Sequence, residues 1–420
     1  MKRLKWGILA ALAITPAAQA VTLKELLDGA ERQNFDRRIS REQRERAAAE
    51  ERQAWSALFP GLTAQAGWTR NQYETPLPEF LGGGVLTPRI QLDGTLRVDV
   101  PLVDTGRWFR AAAADSAGDA AVYRDEATRD AVQRQVAATY YGYAAALGVR
   151  ESARRSLGVA QAQHQLQQVR ERAGAATQLE VTRARAEVQR NLQVLSDAET
   201  LVSTTRRSLR TLTGIDVGEE AMLPKDDFSP VGTLEELEAR ADDLPVVKAS
   251  EKDAEAASRL ATASNLAFVP SVSGLFTERI ANAAGLAGHE SNYAAGIGLT
   301  WRLDGSTIFA PGVLGAQQRI AALGAERQRV AARDQVHTDW RRLQAAMEKV
   351  TAAAAQVEAA QKAAQVARDR YDAGAATQLE VIQAERDLFA AEVNQIQSRS
   401  ELASNHVSLR ISAGIPLQLD

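Results

Sequence analysis

Glu180 and Glu380 each lie three residues after a threonine, Thr177 and Thr377. At that spacing a hydroxyl and a carboxylate close a capping box around the first turn of a helix. Gly174 and Gly374 stand just before those threonines and can take the left-handed conformation that ends the preceding helix. This is the chemistry of a sharp helical turn rather than of a reaction centre. The four histidines, His164, His289, His337 and His406, are scattered, methionine occurs only at positions 1, 222 and 347, and there is no cysteine. No set of these residues has the spacing of a zinc or soft-metal site, so neither a metal nor another cofactor is expected. There is also no GxSxG elbow, P-loop or dinucleotide fingerprint, and the reading is that of a protein that is not an enzyme.

The two turns are copies. AGAATQLEV occupies Ala173 to Val181 and again Ala373 to Val381, 200 residues later and without a substitution. Arg172 precedes the first copy and Tyr371-Asp372 the second, and each is followed by patterned sequence running to a Gly-Ile pair, Gly214-Ile215 and Gly414-Ile415. An internal repeat of this kind predicts two versions of one fold. The expected organisation is residues 1–20 as an export signal, a first structural repeat over 21–215, a joining segment over 216–233 and a second repeat over 234–420. Each repeat is expected to hold a helix, a β-hairpin (61–103 and 269–304) and a long helical hairpin with its tip at 173–181 or 373–381.

Residues 1–20 carry Lys2, Arg3 and Lys5, the apolar run Trp6 to Ile14, and the small-residue end Ala18-Gln19-Ala20. That is the pattern of a secretory signal cleaved near Ala20, and its apolar core is too short for a membrane-spanning helix. Cleavage leaves 47 basic against 53 acidic residues, a net charge of −6, with no basic patch for nucleic acid. Without cysteine there is neither a disulfide framework nor a lipid-modified N-terminus, so stability has to come from packing and assembly.

Two periodicities divide the remainder. Val336, Leu343, Val350, Val357, Ala364 and Tyr371 recur every seven residues, beside an alanine lane at 346, 353, 360 and 367; the first half repeats that lane at Ala146, Ala153 and Ala160. The seam resumes beyond each turn, as Val181, Val188, Leu195, Val202 and Leu209, and as Val381, Leu388, Leu402 and Leu409 with Gln395 as a polar exception. A sustained seven-residue period is a coiled-coil seam. About 67 residues without proline precede Gly174, about 100 Å as one helix, whereas Leu23 to Leu58 and Thr177 to Leu212 are about half that length, which predicts a long rod or tube. Between the helices the period drops to two. Ile90, Leu92, Leu96, Val98 and Val100 alternate with Gln91, Asp93, Thr95, Arg97 and Asp99, and Tyr293, Ala295, Ile297, Leu299, Trp301 and Leu303 alternate with Asn292, Gly296, Gly298, Thr300 and Arg302. Such strands fit either a sheet packed on a helix or, following an export signal, an outer-membrane barrel with Trp68, Tyr73, Tyr293 and Trp301 at its interfaces. Four strands cannot close a barrel, so closure would require several chains.

With these elements in place, residues 21–420 resemble the TolC-type outer-membrane efflux protein family. The likeness is carried by Pro60-Gly61 and Pro270-Ser271 opening the first strand of each hairpin, by the PLVDTG run from Pro101 to Gly106 and its weaker partner RLDGS from Arg302 to Ser306, and by the duplicated AGAATQLEV. The resemblance implies a mixed α and β membrane protein. Antiparallel coiled-coil helices would form a periplasmic α-barrel, and four strands per chain would contribute to a twelve-stranded barrel in a homotrimer, in contact with outer-membrane lipid. It implies a passive duct reaching from the outer membrane into the periplasm, joined through a periplasmic adaptor to an inner-membrane pump.

The resemblance further implies that Gly174, Thr177, Gly374 and Thr377 face the adaptor. Glu380 would form an acidic ring at the periplasmic entrance, and the position one turn on is the neutral Gln383. Tyr371 and Glu180 match positions that link neighbouring hairpins and hold the entrance closed. The competing reading is a periplasmic coiled-coil adaptor or scaffold without a pore, which differs in lacking two alternating hairpins at duplicated positions. The cargo, whether drugs, metal ions or proteins, stays open.

Overall fold

The computed structural model of the chain describes residues 21–81, 83–218, 232–284 and 289–417. The expected export signal and most of the joining segment lie outside the described residues. In chain order the elements are α1 (Leu23–Gln33), α2 (Phe35–Ser56), β1 (Gly61–Arg70), the short strands β2 (Thr75–Pro76) and β3 (Val85–Thr87), β4 (Ile90–Val103), α3 (Thr105–Arg172) and α4 (Gln178–Thr213). There follow α5 (Leu234–Arg240), α6 (Pro245–Asn265), β5 (Ser271–Ala281), β6 (Ser291–Thr300), α7 (Gly305–Asp372) and α8 (Gln378–Ser412). The protein is thus mostly helical with a few antiparallel strands, and α3 and α7 each run 68 residues without a break. Among the described residues no helix is long and apolar enough to cross a membrane.

One expectation is corrected at the N-terminal end, where the stretch read as a single helix from Leu23 to Leu58 is two helices. Asn34 breaks it: its backbone is extended, its Oδ1 accepts from the N–H groups of Asp36 (2.8 Å) and Arg37 (3.3 Å), and its Nδ2 donates to the Leu212 carbonyl (3.2 Å). The side chain takes the place of the preceding helical carbonyls to which these N–H groups would otherwise donate, which is why asparagine competes with helix continuation. A second correction concerns the end of the last strand. β6 stops at Thr300, and beyond it the Trp301 indole donates to the Phe268 carbonyl at 3.1 Å rather than continuing the ladder to Leu303.

The chain divides into two compact units. One comprises Ile39–Ala127 and Ala241–Arg333 and holds the sheet. Its four main strands are antiparallel in the order β1-β4-β5-β6. The register puts Leu62, Ala64 and Trp68 opposite Val98, Leu96 and Leu92, Val98 opposite Phe276, and Val272 opposite Leu299, so one face of the sheet is mostly apolar, with Glu278 between Leu96 and Tyr293 as its charged exception. The other face carries Asp93, Arg97, Asp99 and Arg279, with Arg279 bonded to Asp93 at 2.5 Å and Arg97 to Asp99 at 2.8 Å. Both outer strands, β1 and β6, are exposed along their whole length.

The helices of this unit repeat the lateral order of the strands that feed them. α2 meets α3 through the Ser40 hydroxyl donating to Asp125 at 2.6 Å and through an edge-on Trp55–Trp108 pair. α3 meets α6 through Lys252–Asp119 at 3.1 Å and an Arg124–Asp253 ion pair. α6 meets α7 through Gln318 donating to Ser258 at 3.3 Å and an Arg329–Glu251 ion pair. The free flank of α7 presents Phe309, Val313, Ile320, Leu323 and Val330, all exposed. Their spacing of three, four and seven is that of a helix-packing stripe, and among the described residues nothing covers it.

Among the described residues the other unit comprises 21–38, 128–218, 232–240 and 334–417. Its core gathers Leu26 and Ala30 of α1, Val136 and Tyr143 of α3, Leu209 of α4 and Val407 of α8. Tyr143 is wholly buried, and its hydroxyl donates to the Gly218 carbonyl at 2.7 Å, so burial leaves no polar atom of the ring wanting. Many of the heptad positions are buried, while Val350, Val181, Val188, Leu195 and Leu388 are half-buried. Val336, Leu343, Val357 and Ala364 are buried, as are Ala346 and Ala353 and, in the first half, Ala146, Ala153 and Ala160. Small side chains along these seams let the helix backbones approach closely.

Candidate functional site: the two hairpin tips

Each helical hairpin bends through the duplicated sequence. At the first bend the Ala175 N–H returns to the Arg170 carbonyl (2.7 Å) and the Gly174 N–H to the Glu171 carbonyl (2.8 Å), and at the second Ala375 and Gly374 bond Arg370 and Tyr371 in the same way. The loop closes only because Gly174 and Gly374 sit at φ of 73° and 72°, a conformation that costs a side-chain-bearing residue about 1–2 kcal/mol. The next helices then begin alike. Thr177 and Thr377 accept from the Glu180 and Glu380 N–H groups, both at 3.3 Å, while the two carboxylates accept from the threonine N–H groups at 2.6 and 2.8 Å. Glycine, threonine and glutamate are therefore each required by the turn, and Glu180 and Glu380 spend one carboxylate oxygen on their own helix. All four expected contact residues, Gly174, Thr177, Gly374 and Thr377, are exposed.

The structure brings the tips together mainly through residues that flank the turn motif, with one link inside it. Tyr371 pairs with Gln167, whose amide lies 2.9 Å from the phenol oxygen and is fully buried, and not with Glu180. The Arg170 guanidinium covers the Tyr371 ring at 4.8 Å and reaches Asp372 at 3.3 Å. Between α4 and α8, Gln378 donates to the Glu180 carbonyl at 3.0 Å. Gln383 is exposed and donates to Asp387, one turn further along α8, at 3.4 Å.

Higher in the same hairpins lies a charged cluster. Glu187 of α4 accepts from Arg386 of α8 (Nε, 3.0 Å), from Arg190 (3.1 Å) and from Asn191 (3.2 Å), and Asn191 accepts from the Ser156 hydroxyl of α3 at 2.8 Å. Burial by itself would raise the Glu187 carboxyl, but the hydrogen bonds and charges of Arg386 and Arg190 outweigh it and hold the group below the ordinary glutamate range. Beside this cluster a groove of about 310 Å³ runs between Val159 and Leu166 of α3 and Val381 and Ile382 of α8, with an Arg368–Glu385 ion pair at its edge. The arrangement is one of caps and ion pairs that hold helices in register. Among the described residues no three His, Asp or Glu side chains converge as a metal site would require.

Gln167, Glu187, Gln378 and Arg386 escaped the reading of the sequence. The one available signal was divergence inside the repeat, since Arg386 and Tyr371 stand where the first copy has Ala186 and Glu171.

The model of the outer membrane efflux protein family matches residues 26–215 and 234–414, one match for each half. Among solved structures, CusC is 18% identical over 94% of this chain and 92% of its own, with a TM-score of 0.82. The CmeC outer membrane channel of Campylobacter jejuni is 17% identical over 99% and 93%, also at 0.82. The open-state MtrE outer membrane channel of Neisseria gonorrhoeae is 19% identical over 95% and 90%, at 0.79. At such identities the likeness is one of fold, and it extends over nearly the whole of each chain. No curated protein sequence matches.

Proposed function

The chain belongs to the outer membrane efflux protein family, and from that premise we infer that it is the outer-membrane channel of a tripartite efflux system and not the periplasmic adaptor that heptads alone would also allow. We propose that it acts as a homotrimer whose sheets join into a twelve-stranded barrel, β1 of one copy pairing with β6 of the next. The observation that carries this reading is that both layers of the sheet-bearing unit end at the same pair of flanks. β1 and β6 each leave a ladder of unpaired backbone groups, and α7 leaves its apolar stripe, at the edges of a four-strand, four-helix strip. An edge of this length is a template for pairing, and closure is the arrangement that satisfies it inside a membrane.

In that assembly the apolar face of the sheet meets lipid and the face with Asp93, Arg97, Asp99 and Arg279 lines the pore. The export signal at 1–20 delivers an unlipidated chain, and residues 21–215 and 234–420 act as two repeats of one unit. The tips at Gly174, Thr177, Gly374 and Thr377 meet the adaptor, which joins the duct to an inner-membrane pump. Glu380, with one carboxylate oxygen uncommitted, contributes the acidic ring at the entrance, and Gln383 leaves the next turn neutral. Tyr371 acts in closure through Gln167 within its own chain, with Glu180 as the neighbouring contact that Gln378 grips by its carbonyl.

The test is electrical. The purified protein in a planar bilayer is expected to give discrete single-channel steps, small in the wild type and larger when Tyr371 and Glu180 are both replaced by alanine. A preparation that inserts yet never conducts would exclude the channel, and conductance indifferent to the double replacement would remove these two residues from its closure.

A further inference from the structure

The duplicated tips have the same nine residues, the same capping boxes and glycines at the same φ, yet one side chain lives in two environments. Gln178 is exposed, whereas Gln378 is 2% exposed. The flanking residues follow the same division. Val381 and Ile382 are buried where Val181 is half-buried and Thr182 exposed, so positions 378, 381 and 382 form a face that the second tip alone buries. On that face Gln378 donates from Nε2 to the Glu180 carbonyl, and its buried Oε1 has no hydrogen-bond partner among the described residues. The Glu180 carbonyl already belongs to the first turn of α4, and its second lone pair takes the Gln378 proton.

We propose that Gln378 is the positioning residue that registers the second hairpin tip on the first, and that its unpaired Oε1 makes this docking reversible. A buried acceptor without a donor disfavours the docked state, while water satisfies it as soon as the tips part. The hook and its opposing strain therefore sit in one amide, and the docked tips are held without being locked. The nine shared residues cannot produce the difference; it arises from what the second tip packs against, with Ile382 in place of Thr182 one turn on along the same face. The consequence for conduction rests on the channel reading, whereas the geometry does not.

The chain has no cysteine, so Gln378→Cys and Gln178→Cys can each be labelled singly in the intact membrane protein with an impermeant maleimide. Position 178 is expected to react at least about tenfold faster than 378, as a protected site differs from an open one. In planar bilayers Gln378→Glu, which replaces the donor with a carboxylate facing a carbonyl, is expected to raise conductance, and Gln178→Glu to leave it at the wild-type level. Should Gln378→Glu not reach the membrane, Gln378→Asn keeps the amide but shortens its reach and is expected to act in the same direction. Equal labelling rates, unchanged conductance in the position-378 variant that inserts, or an equal rise from Gln178→Glu would each overturn the proposal. A wild type that never conducts would instead defeat the channel reading, and the labelling ratio would still decide whether the tips dock as described.

Discussion

Replacing Ile297 by arginine is expected to remove most of this protein from the outer-membrane fraction. Ile297 lies within β6 on the apolar face of the sheet, opposite Gly274, and is 77% exposed in the single chain. Water should not be the solvent of such a face. If lipid is, a lysine or arginine near mid-depth costs about 2–4 kcal/mol per chain, and in a trimer three copies bear it at once, about 6–12 kcal/mol for the assembly. That is comparable with the whole net stability of an ordinary domain, about 5–15 kcal/mol. The control is Gln65→Glu, a charge on the opposite face of the same sheet, where Gln65 pairs with Thr95. It should leave membrane yield and the heat-resistant oligomer unchanged. Equal tolerance of both substitutions would mean that the two faces of the sheet do not see different solvents.

Replacing Glu187 by alanine should loosen the tip-bearing unit and raise the conducting fraction of channels. Among the described residues Glu187 is the one anion that its cluster brings together, and its removal strands Arg386 and Arg190 beside each other with the buried amide of Asn191. Hydrogen bonds to charged groups contribute about 1.5–3 kcal/mol each. Losing one such contribution shifts a closed-to-open equilibrium by about tenfold to a hundredfold. The double variant Glu187→Ala with Arg386→Met, which also takes away the stranded cation, should open less than the single one, and a larger opening would contradict the assignment.

Acidification should act on the wild type in the same direction. The folded protein holds the Glu187 carboxyl below its ordinary value of 4.5, so its contribution is fully present above 4.5 and is lost as pH falls through the lowered value. Conductance is therefore expected to stay flat from neutral pH to that point and to rise only below it, and Glu187→Gln should abolish the rise at this site.

Features that depend on nearest neighbours were legible in the sequence. The glycine turns and capping boxes at Thr177 and Thr377, the two-residue alternation of β4 and the buried seam residues Val336, Leu343, Val357 and Ala364 all follow from the spacing of a few residue types, and the structure has them where that spacing predicts. The break at Asn34 was not legible, because an asparagine inside a helical pattern becomes a cap only when a carbonyl such as that of Leu212 is brought to it from far along the chain. The polar links at the tips escaped for the same reason. Glu187 and Arg386 are 199 residues apart, and neither is unusual within its own helix. Gln178 and Gln378 set the limit most clearly, since identical flanking sequence cannot foretell that only one of them is buried. Tyr371 was identified as a contact residue from the family likeness, but its partner in the chain, Gln167, carries no motif.

The central claim is that the strip of four strands closes only between copies, β1 of one chain against β6 of the next. A cysteine at Ala66 in β1, combined in separate variants with one at each position from Tyr293 to Ile297 in β6, tests it in a chain that has no other thiol. Two sheet strands lie between β1 and β6 of the same chain, so a bond between them has to join different copies. Oxidation in isolated outer membranes should give, at one register and its immediate neighbours, a ladder of covalent dimer and trimer that stops at the trimer. Absence of cross-linking at every register, or a ladder that continues beyond three chains, would contradict the closed trimeric barrel.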